Sequence, residues 1–494
     1  MTNVKRVVIV GGGSEAWLAA AALQVAFKHL KLDVCVVETD AARDVIGRWT
    51  LPSSRGIHGL LGVKEVDFVR ATNATFKLAT EHCGWQGEGS RYLHAHGEIG
   101  SDLSGTPFYR YLAMQATMGR EADPEPYSLA AAAARRGRFA RPIAKTALTS
   151  SFTYGYHLDD AAYRAYLQAH ALKLGVRRME SAMREVVLAS DGRIASVTLQ
   201  DGASLEGDYF LDCSGRAAVL MQALSNAARE DWREWLPNDR MISMSAPGIA
   251  DAPALTRTIA SDAGWCWCMP LVRGSVAGIV YSSAFTSDDA ALDRLRATIP
   301  GVSGEPLMRT FASGRRKYLW YRNCIAVGAS GVELEPLAGA DLHLAQLGLA
   351  TFIELFPLDG VGAIEAAEYN RLMGEQADLV RDFTLAHYRA NATRQGDYWE
   401  AIRRASLPER LAQKLDLFRA NGRIRMFDHE SFEETDWAWV LLGSGCIPQA
   451  IELHSKTHLE AVSPERFAPL RASIERLAAT MPRHMDFVTG RSPA

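Results

Sequence analysis

Apolar positions along this chain fall into two patterns, and each predicts its own elements. An unbroken β-branched run at residues 7–10 and an apolar run at 34–37 suit parallel strands covered on both faces. The alanine-rich stretch 17–30 between them predicts a helix. Two later segments return to the strand pattern and end in small-residue turns: Tyr209-Phe210-Leu211-Asp212-Cys213-Ser214-Gly215, and 323–331, which contains Gly328 and Ala329. A helical stretch, 342–355, opens at Leu342 after the second return, and another covers 363–373. Between the returns, Gly278-Ile279-Val280-Tyr281-Ser282-Ser283 reads as part of an inserted sheet. Residues 66–82 read as a helix carrying Lys77, whose apolar neighbours Phe68, Phe76 and Leu78 favour an inward face. From residue 375 the pattern is helical and amphipathic, with loops near 391–397, 422 and 443–448.

The first turn has a specific chemistry. Strand 7–10 breaks into Gly11-Gly12-Gly13-Ser14-Glu15-Ala16, a G-x-G-x-x-A fingerprint. Gly11 permits the tight turn, Gly13 lets a pyrophosphate approach the backbone, and the following helix offers oriented N–H groups and positive potential. Glu38 closes the second strand, where a carboxylate accepts from a ribose hydroxyl. Strand, glycines, helix, strand and terminal acid in order make a dinucleotide site. A further G-x-G at Gly360-Val361-Gly362 lacks a preceding strand, so no second fingerprint for NAD(P)H appears. An early fingerprint with late strand–glycine–helix returns is the layout of large FAD enzymes. The expected fold is α/β: an FAD-binding Rossmann-like domain of glutathione-reductase type, with an inserted substrate β-sheet and a C-terminal helical region. Its FAD module spans 1–375, with the insertion at about 60–130 and 225–320; residues 376–494 form a mostly helical cover over the substrate site.

Charge and cysteines narrow the class. There are 54 basic and 57 acidic residues, interspersed, so no basic stripe offers itself to nucleic acid. No apolar stretch is long enough to span a bilayer. Seven scattered cysteines without a CxxC pair fit a reducing, cytoplasmic compartment. No metal is expected: His94-x-His96 has no third ligand nearby in the sequence, and Cys266-x-Cys268 has no partner pair.

Gly264-Trp265-Cys266-Trp267-Cys268-Met269-Pro270 resembles the G-W-x-W-x-I-P signature of the flavin-dependent tryptophan halogenases, with Met269 in place of isoleucine. Asn73-Ala74-Thr75-Phe76-Lys77 looks like their N-A-S-[YF]-K segment, and Tyr92-Leu93-His94-Ala95-His96-Gly97 like Y-x-H-P-F-G. Tyr156-His157-Leu158-Asp159, Asp212-Cys213-Ser214-Gly215, Gly314-Arg315-Arg316, Glu335-Pro336-Leu337 and Asp397-Tyr398-Trp399 match in order. The resemblance runs from residue 7 to about 450.

That resemblance implies a two-site enzyme. FAD, reduced by a separate flavin reductase, and oxygen convert halide to hypohalous acid, which travels through a tunnel to a lysine beside an indole- or phenol-like aromatic substrate. Lys77 takes the lysine's place. Trp265, Trp267 and Pro270 belong to the wall between flavin and substrate. His94 falls on the histidine that contacts substrate, and Trp437 lies where family members cover it. His96 replaces a phenylalanine that stacks on indole and implies a more polar substrate; the competing reading of both histidines is a hydrogen-bonded surface pair. Gly11, Gly13, Ser14, Ala16, Glu38, Arg48, Gly215, Gly328, Ala329 and Leu342 are the expected FAD contacts. Members of this family are often homodimers.

The halide segment departs from the family. After Glu-Pro-Leu the family reads E-S-T-[GS]; here it is Ala338-Gly339-Ala340-Asp341. Ala338 stands in place of the glutamate that partners the lysine, a loss worth about two to four orders of magnitude in rate. Ala340 and Asp341 replace the halide-binding pair, and an unpaired carboxylate about 4 Å from chloride would repel it by roughly 1–4 kcal/mol. Gly47-Arg48-Trp49-Thr50 stands where the family has G-E-A-T. Arg48 and Asp341 are thus opposite-sign changes, and an ion pair between them is expected. Three readings stand at this point: a halogenase with an altered site, a flavin monooxygenase that has lost halide selection, and a non-catalytic flavoprotein.

Overall fold

The computed structural model describes residues 4–39, 46–225, 228–249, 251–357, 362–460 and 462–491. The chain opens with β1 (Arg6–Val10), α1 (Ser14–Ala26) and β2 (Asp33–Val37), followed by β3 (Gly47–Trp49), β4 (Thr75–Lys77), β5 (Ala79–Cys83), β6 (Arg91–Ala95) and β7 (Gly155–Asp159). Next come β8 (Arg177–Met179), β9 (Tyr209–Asp212), β10 (Arg240–Ala246), β11 (Leu255–Ser261), β12 (Gly264–Pro270), β13 (Ser275–Tyr281) and β14 (Ser303–Thr310). Further along the chain lie β15 (Trp320–Tyr321), β16 (Cys324–Ala326), α2 (Asp341–Glu354), α3 (Ala363–Arg389) and α4 (Glu434–Gly443).

A six-stranded sheet has the order β15-β16-β9-β1-β2-β8. β1 pairs in parallel with β2 (Val8 opposite Cys35) and with β9 (Val8 opposite Phe210), so its apolar run is buried on both faces. The first late return, β9, is therefore the neighbour of β1 and the second, β16, pairs with β9, which gathers three glycine turns at one sheet end. Gly11 has φ +149°, and a Cβ there would overlap the Cys213 carbonyl. That close approach is the packing reason for glycine.

A seven-stranded sheet, β14-β10-β13-β12-β11-β5-β6, joins segments far apart in sequence. β12 lies inside it, antiparallel to β11 and β13. A third sheet, β3-β7-β4, sets Trp49 and Thr75 on either side of His157.

The helix expected over 66–82 is corrected. Only Glu65–Ala71 is helical; Asn73 takes a left-handed φ of +54°, and Lys77 stands on β4. The apolar spacing was ambiguous, and pairing of Thr75, Phe76 and Lys77 with β7 overrides the helical pattern. The helix expected over 17–30 starts earlier, at Ser14, and ends at Ala26, while that over 363–373 runs on to Arg389. Gly360 and Val361 lie outside the described residues. Among the described residues no helix is long and apolar enough to cross a membrane.

Candidate functional site

The three glycine turns and β3 enclose a groove. Gly13, Arg48, Trp49, Gly215, Trp267, Gly328, Ala329, Gly339 and Asp341 line it. Of the other expected contacts, Gly11, Ser14, Ala16 and Leu342 are buried behind this wall. Ser14 Oγ donates to Asp160 at 3.0 Å. Glu38 is held by Arg178 (2.6 Å) and Gln168 (3.1 Å) and is not part of the wall.

Arg48 organises the charges. Its Nη1 donates to Glu15 at 2.8 Å, its Nε lies 2.6 Å from Asp160, and Nη1 lies 3.6 Å from Asp341. The ion pair expected between Arg48 and Asp341 is therefore present, although its two further partners were not foreseen. Burial works against the guanidinium charge, but Asp160, Glu15 and Asp341 outweigh it and hold Arg48 charged. Burial pushes the Glu15 carboxyl up, and Arg48 more than reverses this, leaving it lowered; at Asp160 burial prevails and the carboxyl is raised. The Glu15 side chain reaches the groove wall, since a Cβ on Gly328 would come within 3.2 Å of its Cγ.

A second cavity, of about 420 Å³, is lined by Leu51–Ser53 of the segment leaving β3, by His96 to Glu98, by 150–153, and by 431–436 except Glu434. It shares no lining residue with the groove. Lys77 lies beside it, 1% exposed, and its Nζ is 2.7 Å from His96 Nε2. Burial lowers the Lys77 amine to about 7, against a weaker upward pull from the Asp436 carboxylate. His94 Nε2 is 2.8 Å from Asp436 Oδ1. His82, His96 and His157 are all held well below the ordinary histidine range by burial. The lysine thus sits in a shell of neutral imidazoles.

β12 connects the two regions. Trp267 lines the groove, 5.3 Å from Trp49, and its indole leaves no room for a Cβ on Gly278. Trp265, on the same strand face, packs 6.3 Å from Trp85. At the strand's end the Pro270 carbonyl accepts from Thr75 Oγ1 at 2.8 Å, two residues from Lys77. Trp437, expected over the substrate, turns inward: its Nε1 donates to Glu430 at 2.6 Å and Lys414 lies 4.0 Å over its ring. Its neighbours Thr435 and Asp436 face the cavity instead.

The expectation that His94-x-His96 lacks a third ligand is also corrected, because Asp436 brings all three ligand atoms within 4.8 Å. The sequence could not show this, since Asp436 is some 340 residues away and reaches β6 through contacts of α4. Within that triangle His94 already bonds Asp436, and the Lys77 ε-amine lies against the His96 nitrogen. Asp160 and Glu15 were also missed. A charged residue inside a glycine turn was the available signal for Glu15.

The tryptophan halogenase family matches residues 6–459. The chain belongs to that family. It is similar to the tryptophan 7-halogenase RebH of Lentzea aerocolonigenes, with 26% identity over 98% of each chain. Among solved structures it resembles BrvH, a flavin-dependent halogenase from Brevundimonas sp. BAL3, with 34% identity, a TM-score of 0.93, and 99% of this chain and 100% of that one covered. A flavin-dependent halogenase from Xanthomonas campestris shows 32% identity and a TM-score of 0.92 over 99% of each chain. The family assignment makes this halogenase-family chain a flavoprotein enzyme working with FAD that a flavin reductase reduces. The groove fits that dinucleotide: the crossing at Gly11 has no room for a side chain, three glycine turns converge, and the start of α1 faces the opening.

Proposed function

We propose that this halogenase acts on a small aromatic substrate held in the 420 Å³ cavity, with Lys77 directing a hypohalous electrophile to the ring. The observation that carries this is a nearly fully buried lysine, hydrogen-bonded to a cavity-lining histidine, in a chamber with no lining residue in common with the flavin groove. Bound reduced FAD supplies the oxygen activation that oxidises halide. The residues do the rest. Gly13, Gly215, Gly328 and Ala329 hold the dinucleotide backbone. Trp265, Trp267 and Pro270 keep the cofactor away from the ring. Lys77 donates a hydrogen bond to the electrophile's oxygen, and desolvation strengthens that bond.

Among the described residues the cavity lining contains Glu98, Glu433 and Asp436 and no arginine or lysine. Burial, then Glu433, Asp102 and Asp436, raise the Glu98 carboxyl. Such a rim disfavours a free carboxylate on the substrate and favours a neutral or amine-bearing indole or phenol. At the halide segment Arg48, 3.6 Å away, offsets part of the Asp341 charge. The seven cysteines are all free, in keeping with a reducing cytoplasm, and a homodimer is the expected assembly. The test is turnover with FAD, a reductase, NADH, and bromide or chloride over a panel of indoles and phenols. Halogen isotope doublets in the product mass spectra are expected. Oxygen insertion without halogen, or FAD binding without any product, overturns the reading.

A further inference from the structure

The reading of Lys77 as the directing group, on which this inference rests, leaves the fate of the ring proton open. Halogen transfer joins X to a ring carbon, and the O–X electron pair stays on oxygen. The departing hydroxide then needs one proton, and the ring carbon must lose another. Lys77 meets the first need and ends as a neutral amine. Among the described residues no carboxylate bonds to Lys77, and Ala338 supplies none.

For the second need, one cavity-lining side chain also touches the spent amine. The His96 ring lines the cavity and its Nε2 is 2.7 Å from Lys77 Nζ. It is 4% exposed and kept neutral by burial first and then by Lys77, His94 and His157. A neutral imidazole touching both the substrate space and the spent amine can accept one proton and pass it on. His94, bonded to Asp436, packs edge-on against it with ring centroids 5.7 Å apart, which fixes its orientation.

We propose that His96 is the catalytic base of this enzyme: Nε2 takes the proton from the halogenated ring carbon and returns it to Lys77. The balance closes. Hypohalous acid and arene become haloarene and water; the C–X bond forms while O–X and C–H break; and both side chains end in their starting protonation states. His96 in place of the family's phenylalanine thereby answers Ala338 in place of its glutamate.

The first measurement uses substrate deuterated at the halogenated position. The wild type is expected to show no isotope effect, because a placed base makes proton loss fast. His96→Phe and His96→Gln should lose about 10²–10⁴-fold in kcat and acquire a normal primary isotope effect. His96→Glu, which restores an acceptor, should recover rate and lose the isotope effect. A purely structural role would lower rate without creating the isotope effect. The second measurement needs no flavin: the Lys77 ¹³Cε resonance of labelled protein, assigned with Lys77→Met, is titrated. Loss of the His96 acceptor should lower its midpoint by about one unit. Wild-type halogenation with no isotope effect in His96→Phe, or an unmoved Lys77 midpoint, overturns the role of His96 alone. No halogenated product from the wild type overturns the reaction assigned above, and this role with it.

Discussion

Replacing Lys77 with methionine should make the fold more stable, by an amount that depends on pH. Methionine matches the length of the lysine stem, so little cavity is left. The amine moves from an ordinary 10.5 to about 7 on burial. Each unit is worth about 1.4 kcal/mol of difference between protonation states, so burying the charged form costs up to about 5 kcal/mol. The sign follows from proton counts. Below pH 7 both folded and unfolded chains carry the proton and the cost is present in full. Between 7 and 10.5 the unfolded chain binds more protons, so stability rises with pH and the cost fades. From linkage the cost is about 4 kcal/mol at pH 7 and about 2 kcal/mol at pH 9. The variant also leaves His96 Nε2 without its partner, which returns about 1 kcal/mol at both pH values. The advantage of Lys77→Met should therefore shrink by about 2 kcal/mol between pH 7 and 9. For 494 residues the unfolding entropy near the midpoint is about 1 kcal/mol/K, so this is a change of about 2 °C in the Tm difference. Parallel thermal melts of both proteins measure it, and groups that titrate alike in both, such as Glu335, cancel. A Tm difference constant across that range would refute a buried amine titrating near neutrality.

Three further outcomes separate the parts of the site. Gly11→Ala should destabilise the whole fold, because its Cβ meets the Cys213 carbonyl, whereas Gly13→Glu should abolish FAD binding with little loss of Tm, since Gly13 meets only the end of the Glu15 side chain; flavin fluorescence and melts distinguish the two. Glu15→Ala should tighten FAD binding about tenfold, equal to about 1.4 kcal/mol, by removing a carboxylate from the pyrophosphate approach and freeing Arg48; calorimetric titration showing equal or weaker binding would count against the cradle. Trp267→Ala should admit oxygen from ¹⁸O₂ into the aromatic product, while Trp267→Phe should not; the indole N–H has no partner among the described residues, so the phenylalanine control loses no hydrogen bond to them.

The nucleotide half was legible because its signals are local. The β1–α1–β2 unit and the two late returns are contiguous runs with turn chemistry at their ends, and their strands sit in one sheet, whereas Glu38, expected at a ribose, is held by Arg178 and Gln168. The substrate half was less legible because its contacts are long-range. Lys77 reads as helical by spacing, yet its strand exists only through pairing with β7, nearly 80 residues on. Asp436 joins His94 across the molecule, and Trp437, singled out for its indole, faces the core while its smaller neighbours face the cavity. An aromatic ring in an amphipathic helix is drawn inward by its own area, so the polar positions beside it are the better pointers to a cavity wall.

The departures from the family pattern do not look like decay once they are placed in space. Losing a function relaxes positions independently, and an isolated buried charge left behind costs several kcal/mol. Here the changes answer one another. Arg48, where the family has glutamate, meets Asp341, where it has glycine or serine, at 3.6 Å, and the same guanidinium also pairs with Glu15 and Asp160. Ala338 removes a carboxylate from the lysine's company, and His96 brings an acceptor to 2.7 Å from the same amine. Two coincident compensations, one on each side of β12, are hard to reach without selection on both chambers at once. Lys77 itself makes the stronger case: its burial lowers stability by several kcal/mol, and a protein that only bound flavin would gain by losing it. Retention of that costly amine beside a cavity of about 420 Å³ argues for continuing chemistry on a substrate.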